Sequence, residues 1–300
     1  MRMVVTGGRG FIGSHFIELA LESGHHVTDI DSMTYCANKS LPFDNNPRYK
    51  HIQEDINNIK HLPFCDIVVN FAAETHVDNS ITYCGDFVKT NFSGVHNLLE
   101  LIRGKVYERP RFVQVSTDEV YGDRLNGEFI ESDPLIPSNP YSATKAGAEH
   151  LVTSYSRTYG IEYLITRSSN NYGPRQYEEK LISKSISCLR DGRKVPLHGD
   201  GSYMRDWIYV IDNARAILQL IESGVKNETF NISGGLHLSN NQVIEQVCSW
   251  FNLENWSSHV QYTENRLGQD VRYSISSKKL RDFGIEIPRR EKLLNFLDVK

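Results

Sequence analysis

The chain has 300 residues, of which 33 are Lys or Arg and 37 are Asp or Glu, so its formal net charge is −4 at neutral pH. This length can bury one or two hydrophobic cores, and the slightly acidic balance argues against a surface that binds a nucleic-acid backbone or an anionic membrane. No apolar run approaches the roughly 18 residues that span a bilayer, and the first residues lead straight into a predicted strand, so we expect a cytoplasmic protein with no membrane or nucleic-acid partner.

Short apolar runs alternate with segments of helical period through the first half of the chain, which is typical of parallel strands joined by crossover helices. We predict strands at residues 3–6, 26–30, 49–53, 67–71, 111–116 and 163–166. The pattern predicts an α/β fold with a doubly wound parallel sheet. Such sheets bind their ligands at the carboxyl ends of the strands.

After residue 172 the regular alternation of predicted strands and helices ends. A helix is predicted at 181–189, followed by a stretch rich in Gly and Pro at 192–201. A later helix at 212–221 and a strand at 229–232 are regular enough to rejoin the sheet. The sequence therefore predicts two domains that interleave along the chain. We place the larger domain at residues 1–172 and 206–232, and a smaller α/β domain at 173–205 and 233–300.

A glycine-rich loop, Thr6-Gly7-Gly8-Arg9-Gly10-Phe11-Ile12-Gly13, joins the first predicted strand to the first helix. Glycine permits a tight turn and lets the backbone approach a pyrophosphate, which the helix N-terminus also attracts. Asp31 ends the second strand, where a carboxylate can accept hydrogen bonds from both ribose hydroxyls. The larger domain is therefore predicted to be an NAD-binding Rossmann fold. The carboxylate repels the 2′-phosphate of NADP, although Arg9 leaves that preference open.

Two further strand ends are candidates for cofactor contact. Asp55 and Ile56 follow the third strand and are placed to meet the adenine, while Phe71, Ala72 and Ala73 follow the fourth and include small side chains that would admit the cofactor. Packing at a strand end explains either set equally well.

Tyr141 and Lys145 are four residues apart, so on a helix they share one face. A tyrosine is a poor base at its usual pKa of about 10, but a nearby ammonium stabilises the phenolate. The pair is therefore expected to deprotonate a sugar hydroxyl. A chance pair on a solvated helix face is the alternative, and the predicted nucleotide site argues against it.

Thr117, Asp118 and Glu119 follow the fifth strand, at the edge where ligands bind. Thr117 can hydrogen-bond the same hydroxyl as Tyr141. Adjacent carboxyl groups at a buried strand end repel one another, so one holds a proton while the other stays ionised, as an elimination requires. By spacing alone, a solvated turn is the better explanation of the acidic pair.

Taken together, these residues resemble the dTDP-glucose 4,6-dehydratases, a family of extended short-chain dehydrogenases. The matching segments follow the family order over about nine-tenths of the chain: 6–13, 71–78, 116–122, 141–145, 169–174, 179–182, 205–207, Asp270 and 272–273. The Asp118-Glu119 pair is the discriminating part, because related epimerases and decarboxylases do not usually carry it.

The resemblance implies an oxidation, an elimination and a reduction on one sugar. Tyr141, helped by Lys145 and Thr117, would remove the 4-hydroxyl proton while hydride leaves carbon 4 for NAD. Glu119 would take the carbon 5 proton, and Asp118 would protonate the departing carbon 6 hydroxyl. Hydride then returns to carbon 6, so NAD is recycled in each turnover and should stay tightly bound.

The resemblance also assigns binding residues position by position. The cofactor set is Gly7, Gly10, Phe11, Ile12, Gly13, Asp31, Ser32, Met33, Thr34, Asp55, Ile56, Phe71, Ala72, Ala73, Thr90, Tyr141, Lys145 and Asn171. The nucleotide-sugar set is Thr75, Thr117, Asn170, Lys180, Leu181, Pro196, His198, Arg205, Asn231, Arg266 and Asp270. Arg205 and Arg266 would grip the diphosphate, as guanidinium groups do. Family members also pair helices near residues 87–103 and 141–159 into a homodimeric four-helix interface.

The sequence departs from the family pattern in the loops that, by the resemblance, bind the nucleotide. His198, Leu267 and Gln269 stand where the family usually has tyrosine, proline and histidine. UDP-glucose is therefore a rival to dTDP-glucose. Two other readings remain: an epimerase or decarboxylase that uses the same Tyr and Lys, and a binding protein that has lost catalysis. No histidine spacing suggests a metal site, and the five scattered cysteines predict free thiols.

Overall fold

The structure is a computed structural model that describes residues 1–105, 108–265, 267–268 and 270–297. Within these ranges no helix is long and apolar enough to cross a membrane. The strands, in chain order, are β1 (Arg2–Thr6), β2 (His26–Asp31), β3 (Tyr49–Gln53), β4 (Ile67–Asn70), β5 (Arg111–Thr117), β6 (Tyr163–Ser168), β7 (Asn170–Tyr172), β8 (Val195–His198), β9 (Met204–Tyr209), β10 (Glu228–Ile232), β11 (Leu236–Ser239) and β12 (Val260–Thr263).

Seven parallel strands form the central sheet, in the order β3-β2-β1-β4-β5-β6-β10. The order reverses between β1 and β4, which is the crevice where doubly wound sheets bind ligands. Each predicted strand is present within one or two residues, and the strand predicted at 229–232 pairs in parallel with β6, as expected. The doubly wound α/β prediction is therefore confirmed.

The helices of the described residues are α1 (Phe11–Glu22), α2 (Val77–Thr82), α3 (Gly85–Phe87), α4 (Val95–Arg103), α5 (Pro140–Tyr159), α6 (Leu181–Arg190), α7 (Val210–Glu222), α8 (Asn240–Trp250) and α9 (Lys278–Asp282). A π-helical segment, Val88–Gly94, connects α3 to α4. The helix expected over 87–103 is therefore interrupted, and such π segments are frequent at functional sites.

Two hydrophobic cores cover the two faces of the central sheet. The strands alternate apolar side chains to both sides, as Val4 and Val5 of β1 illustrate, and all four residues of β4 are buried. Helices α1 and α7 pack on one face, and α4 and α5 on the other. Burial on both faces explains the nearly continuous apolar runs that marked these strands in the sequence.

A third core belongs to the second half of the chain. It is built from α6, α8 and two small sheets, β11-β9-β7 and β12-β8. Strand β8 lies within the stretch rich in Gly and Pro, at 192–201. Leu293 and Phe296 also pack in this core, with the Phe296 ring 5.6 Å from that of Trp250.

Candidate active site

The glycine-rich loop packs directly against the end of β4. Gly7 has φ +72°, and a Cβ there would lie 2.5 Å from the backbone nitrogen of Ala72. A Cβ at Gly13 would lie 2.4 Å from the carbonyl oxygen of Gly7. Only glycine fits these two positions, and the resulting turn brings the N-terminus of α1 to the carboxyl edge of the sheet.

Asp31 is fixed by the backbone on both sides of its carboxylate. It accepts hydrogen bonds from the Arg9 backbone nitrogen at 2.9 Å and from the Met33 backbone nitrogen at 2.7 Å. The Arg9 guanidinium turns away to an ion pair with Asp44 at 2.8 Å and lies 3.8 Å from Asp29. Because the Arg9 guanidinium is occupied by these two carboxylates, it does not offer a positive charge to a 2′-phosphate. The site therefore favours a ribose with a free 2′-hydroxyl.

The other predicted cofactor residues lie on neighbouring loops at the same edge of the sheet. Asp55 accepts hydrogen bonds at 2.9 Å from both the backbone and the side-chain nitrogen of Asn57, while the Ile56 side chain is buried. Ser32 and Thr34 flank Met33 just after β2, Thr90 lies in the π segment, and Asn171 lies in β7. Phe71, Ala72 and Ala73 follow β4. Phe11 and Ile12 begin α1, with Gly10 as its N-cap.

Tyr141 and Lys145 lie one turn apart in the first half of α5, which begins at its N-cap Asn139. The Lys145 ammonium donates a 2.7 Å hydrogen bond to the carbonyl oxygen of Val115 in β5. Burial lowers the pKa of Lys145 to about 8, although the Glu149 carboxylate opposes that shift. The lysine therefore sits where a modest change in surroundings alters its charge.

The expected lowering of the Tyr141 pKa is not what the structure shows. Burial raises the pKa of the phenol, the negative charges of Glu119 and Asp118 raise it further, and a hydrogen bond with Thr117 only partly opposes them. Desolvation and the two carboxyl groups outweigh the hydrogen bond with Thr117.

Asp118 and Glu119 begin a short 3₁₀ turn, Asp118–Tyr121, at the end of β5. The side chain of Asp118 is 1% exposed, and the Thr117 hydroxyl donates to it at 3.2 Å. Burial raises the pKa of Asp118 well above its usual range, and the charges of Glu119 and Asp206 raise it further. These surroundings favour the protonated form of Asp118, whereas a solvated turn would favour the ionised form.

Arg205 and Asp270 meet beside the acidic pair. The Arg205 guanidinium donates to the carbonyl oxygen of Asp270 at 2.9 Å and lies 4.4 Å from the ring centre of Tyr273. The Tyr273 hydroxyl donates to the Asp270 carboxylate. Burial raises the pKa of Tyr273, and the charges of Glu119 and Asp270 raise it further.

The remaining predicted substrate residues lie on several separate elements. The Lys180 ammonium donates at 2.7 Å to the carbonyl oxygen of Thr75, and Leu181 begins α6. Asn170 begins β7, Pro196 and His198 lie in β8, and the ring nitrogen Nδ1 of His198 is 3.0 Å from the carbonyl oxygen of Glu264. Arg266 and Gln269 lie outside the described residues.

Asn231, which is predicted to contact the substrate, lies in β10 and makes two side-chain hydrogen bonds within the protein. Its side chain is fully buried, accepts a 2.9 Å hydrogen bond from the Tyr121 hydroxyl and donates to the carbonyl oxygen of Phe129 at 3.2 Å. These bonds connect β10 to the turn that carries Asp118.

Two residues of the site had no role assigned from the sequence. Asn91 of the π segment bonds the backbone nitrogen of Glu74 at 2.8 Å, the Glu74 carbonyl oxygen at 3.0 Å and the Thr144 hydroxyl at 3.0 Å, so it ties the loop after β4 to α5. Asp206 of β9 is fully buried and accepts a hydrogen bond from Ser233. The one sequence signal for these two residues is that each directly follows a predicted site residue, Thr90 or Arg205.

Comparisons with known proteins agree with this geometry. A family model described as GDP-mannose 4,6 dehydratase matches residues 4–287. The low-salt glycan biosynthesis protein Agl12 of Haloferax volcanii is 41% identical over 95% of this chain and 93% of its own length. The dTDP-glucose 4,6-dehydratase of Neisseria meningitidis serogroup B is 39% identical over 93% of this chain and 86% of its own.

A solved structure extends the similarity to three dimensions. The dTDP-glucose 4,6-dehydratase DesIV from Streptomyces venezuelae, crystallised with NAD and TYD bound, superimposes with a TM-score of 0.91 at 37% identity, covering 99% of this chain and 94% of that one. With its glycine-rich loop, its Tyr-Lys pair and its acidic pair in the family order, this chain belongs to the nucleotide-sugar 4,6-dehydratase family that includes the dTDP-glucose 4,6-dehydratases.

Proposed function

We propose that this chain is an NAD-dependent dTDP-glucose 4,6-dehydratase, a hydro-lyase that converts dTDP-glucose into dTDP-4-keto-6-deoxyglucose and water. The Asp118-Glu119 pair, in which Asp118 is buried and has a strongly raised pKa, is the observation that supports this proposal. Relatives of that name match over more than nine-tenths of the chain. An epimerase or decarboxylase would have no use for a buried general acid next to a second carboxylate.

The residues at the β1–β4 crevice fit NAD. The close packing of Gly7 and Gly13 leaves the start of α1 open to a pyrophosphate, and the Asp31 carboxylate is already oriented by two backbone nitrogens. Bound NAD would accept a hydride from carbon 4 of the sugar and return it to carbon 6. Solved relatives contain NAD, as the DesIV structure and the enzyme from Bacillus anthracis do.

The chain's own groups divide the proton transfers. Tyr141, as the phenolate that the Lys145 ammonium stabilises, takes the proton of the 4-hydroxyl, which Thr117 also hydrogen-bonds. Glu119 removes the proton from carbon 5, which the neighbouring ketone has made acidic. Asp118 gives its proton to the 6-hydroxyl, which leaves as water, and Glu119 returns its proton to carbon 5 when hydride arrives at carbon 6. The proton gained by Tyr141 is released to solvent, from which Asp118 is protonated again.

Substrate binding divides between the two proposed domains, residues 1–172 with 206–232 and residues 173–205 with 233–300. Arg205 and Arg266 would hold the diphosphate, and the segment around Pro196 and His198 would meet the base. His198 and Leu267 differ from the usual family residues there, so UDP-glucose is the second candidate substrate.

We also propose a homodimer and a cytoplasmic location. Val88 and Phe92 of the π segment, together with Tyr83 and Tyr159 near the ends of the neighbouring helices, are large apolar side chains exposed on the face where family members pair four helices. A second copy would bury them. All five cysteines are free thiols, which is typical of a reducing compartment.

The test is to incubate the purified protein, with no NAD added, with dTDP-glucose and UDP-glucose separately and to follow the product mass. Loss of one water from dTDP-glucose at the higher rate is expected. Asp118→Asn and Glu119→Gln should lose this activity by a factor of about 100 to 10,000, the usual range for a general acid or base, while dTDP still binds. Dehydration at the wild-type rate in both variants would refute their assigned roles.

A further inference from the structure

Residues 173–180, here called the strap, cross from the second half of the chain onto the larger domain. At their start they contact α1, the helix that follows the glycine-rich loop. The His15 ring nitrogen Nε2 lies 2.9 Å from the carbonyl oxygen of Pro174, and the Arg175 guanidinium pairs with Glu18 at 2.7 Å. The strap is thus anchored beside the loop proposed to bind the pyrophosphate.

A second anchor joins the strap to the loop after β2. The Tyr35 hydroxyl donates a 2.9 Å hydrogen bond to the Glu179 carboxylate, and the Tyr35 ring meets the Tyr177 ring edge to face, with centres 5.2 Å apart. Tyr35 directly follows Ser32, Met33 and Thr34, three proposed NAD contacts. Its side chain is 56% exposed, so the bond lies at the surface, where it can open and re-form.

A third anchor reaches the loop after β4. The Lys180 ammonium donates at 2.7 Å to the carbonyl oxygen of Thr75 and lies 3.6 Å from the Glu179 carboxylate. Glu179 therefore faces both Tyr35 and Lys180. The strap therefore contacts the three segments, after β1, β2 and β4, that flank the crevice between β1 and β4.

We propose that Tyr35 and Glu179 are positioning residues that latch the strap over NAD and retain the cofactor between turnovers. This inference rests on the proposed function only for the binding of NAD. A phenol bonded to a carboxylate is a charge-assisted hydrogen bond, stronger than a neutral one. Opening this bond frees the loop that carries three of the NAD contacts, so the bond sets the rate at which NAD escapes.

The test compares Tyr35→Phe, Glu179→Ala and the double variant with wild type and with Tyr262→Phe. The control removes another exposed tyrosine hydroxyl, one that is 3.4 Å from Asn241 in a different part of the fold. Each protein is loaded with isotopically labelled NAD, chased with unlabelled NAD, and sampled by mass spectrometry. We expect release about tenfold faster in each single variant, no further increase in the double variant, and wild-type release in the control.

Activity supplies the second readout. Tyr35→Phe should lose activity on dilution without NAD and regain the wild-type kcat with excess NAD, with the KM for dTDP-glucose unchanged. Wild-type NAD release by Tyr35→Phe, or a kcat defect that excess NAD does not restore, would overturn the latch. Wild-type protein that neither contains nor takes up NAD would instead refute the proposed function, so the two failures are distinguishable.

Discussion

Arg167 of β6 is the centre of a buried polar network beneath the acidic pair. Its guanidinium pairs with both oxygens of Glu149 in α5, at distances from 2.6 to 3.2 Å, and also donates to the Tyr121 hydroxyl. The side chains of Arg167 and Glu149 are 7% and 2% exposed. Replacing Arg167 with Met would leave the Glu149 charge buried without this partner, which costs about 3–5 kcal/mol, a large part of a typical free energy of unfolding.

Urea denaturation followed by circular dichroism measures that loss. The matched control is Arg193→Met, because the Arg193–Asp191 pair has a similar distance, 2.7 Å, but side chains that are 58% and 56% exposed. An exposed pair contributes less than about 1 kcal/mol. The double variant Glu149→Met with Arg167→Met should regain most of the stability, since neither charge then remains buried. Equal losses for Arg167→Met and Arg193→Met would show that burial does not set the strength of this pair.

Three further predictions concern the crevice, the lysine and the core. Gly7→Ala should lose bound NAD, measured as NAD content after gel filtration, because the added Cβ meets the Ala72 backbone at 2.5 Å and φ is +72°. The kcat/KM should fall above a pH of about 8, where Lys145 loses its proton and its positive charge, and a pH–rate profile that stays flat to pH 10 would contradict this role. Leu98→Ala should lower the free energy of unfolding by about 2–5 kcal/mol in the same urea assay, because the side chain is fully buried between α4 and the sheet.

Local patterns in the sequence were sufficient to predict most of the fold and part of the site. The glycine-rich loop, the strands and the position of Asp31 depend on residues close together in the chain, so spacing alone predicts them. The burial of Asn231 is not predictable from neighbouring residues, because its hydrogen-bond partners Tyr121 and Phe129 lie more than 100 residues away in the chain. An asparagine at a strand end has the same appearance in a sequence whether it faces a ligand or the core.

The pKa of Tyr141 also depends on residues that the sequence alone does not place near it. The one-turn spacing to Lys145 was correct, but the sign of the shift depends on burial and on carboxyl groups from another element, the 3₁₀ turn after β5. The π segment at Val88–Gly94 was also beyond prediction, because its apolar residues continue the period of the helix that follows. Tertiary contacts determine both features, and these contacts cannot be deduced from a single sequence.

Burial and neighbouring carboxyl groups act oppositely on the two halves of the proposed reaction. They raise the pKa of Asp118 and so favour the protonated form that the departing 6-hydroxyl needs, but they also raise the pKa of Tyr141 and disfavour the phenolate that the oxidation needs. The Lys145 ammonium is therefore the group on which the oxidation depends, and its pKa is about 8. As the pH rises above that value, the oxidation should slow, because the phenolate loses the positive charge that stabilises it.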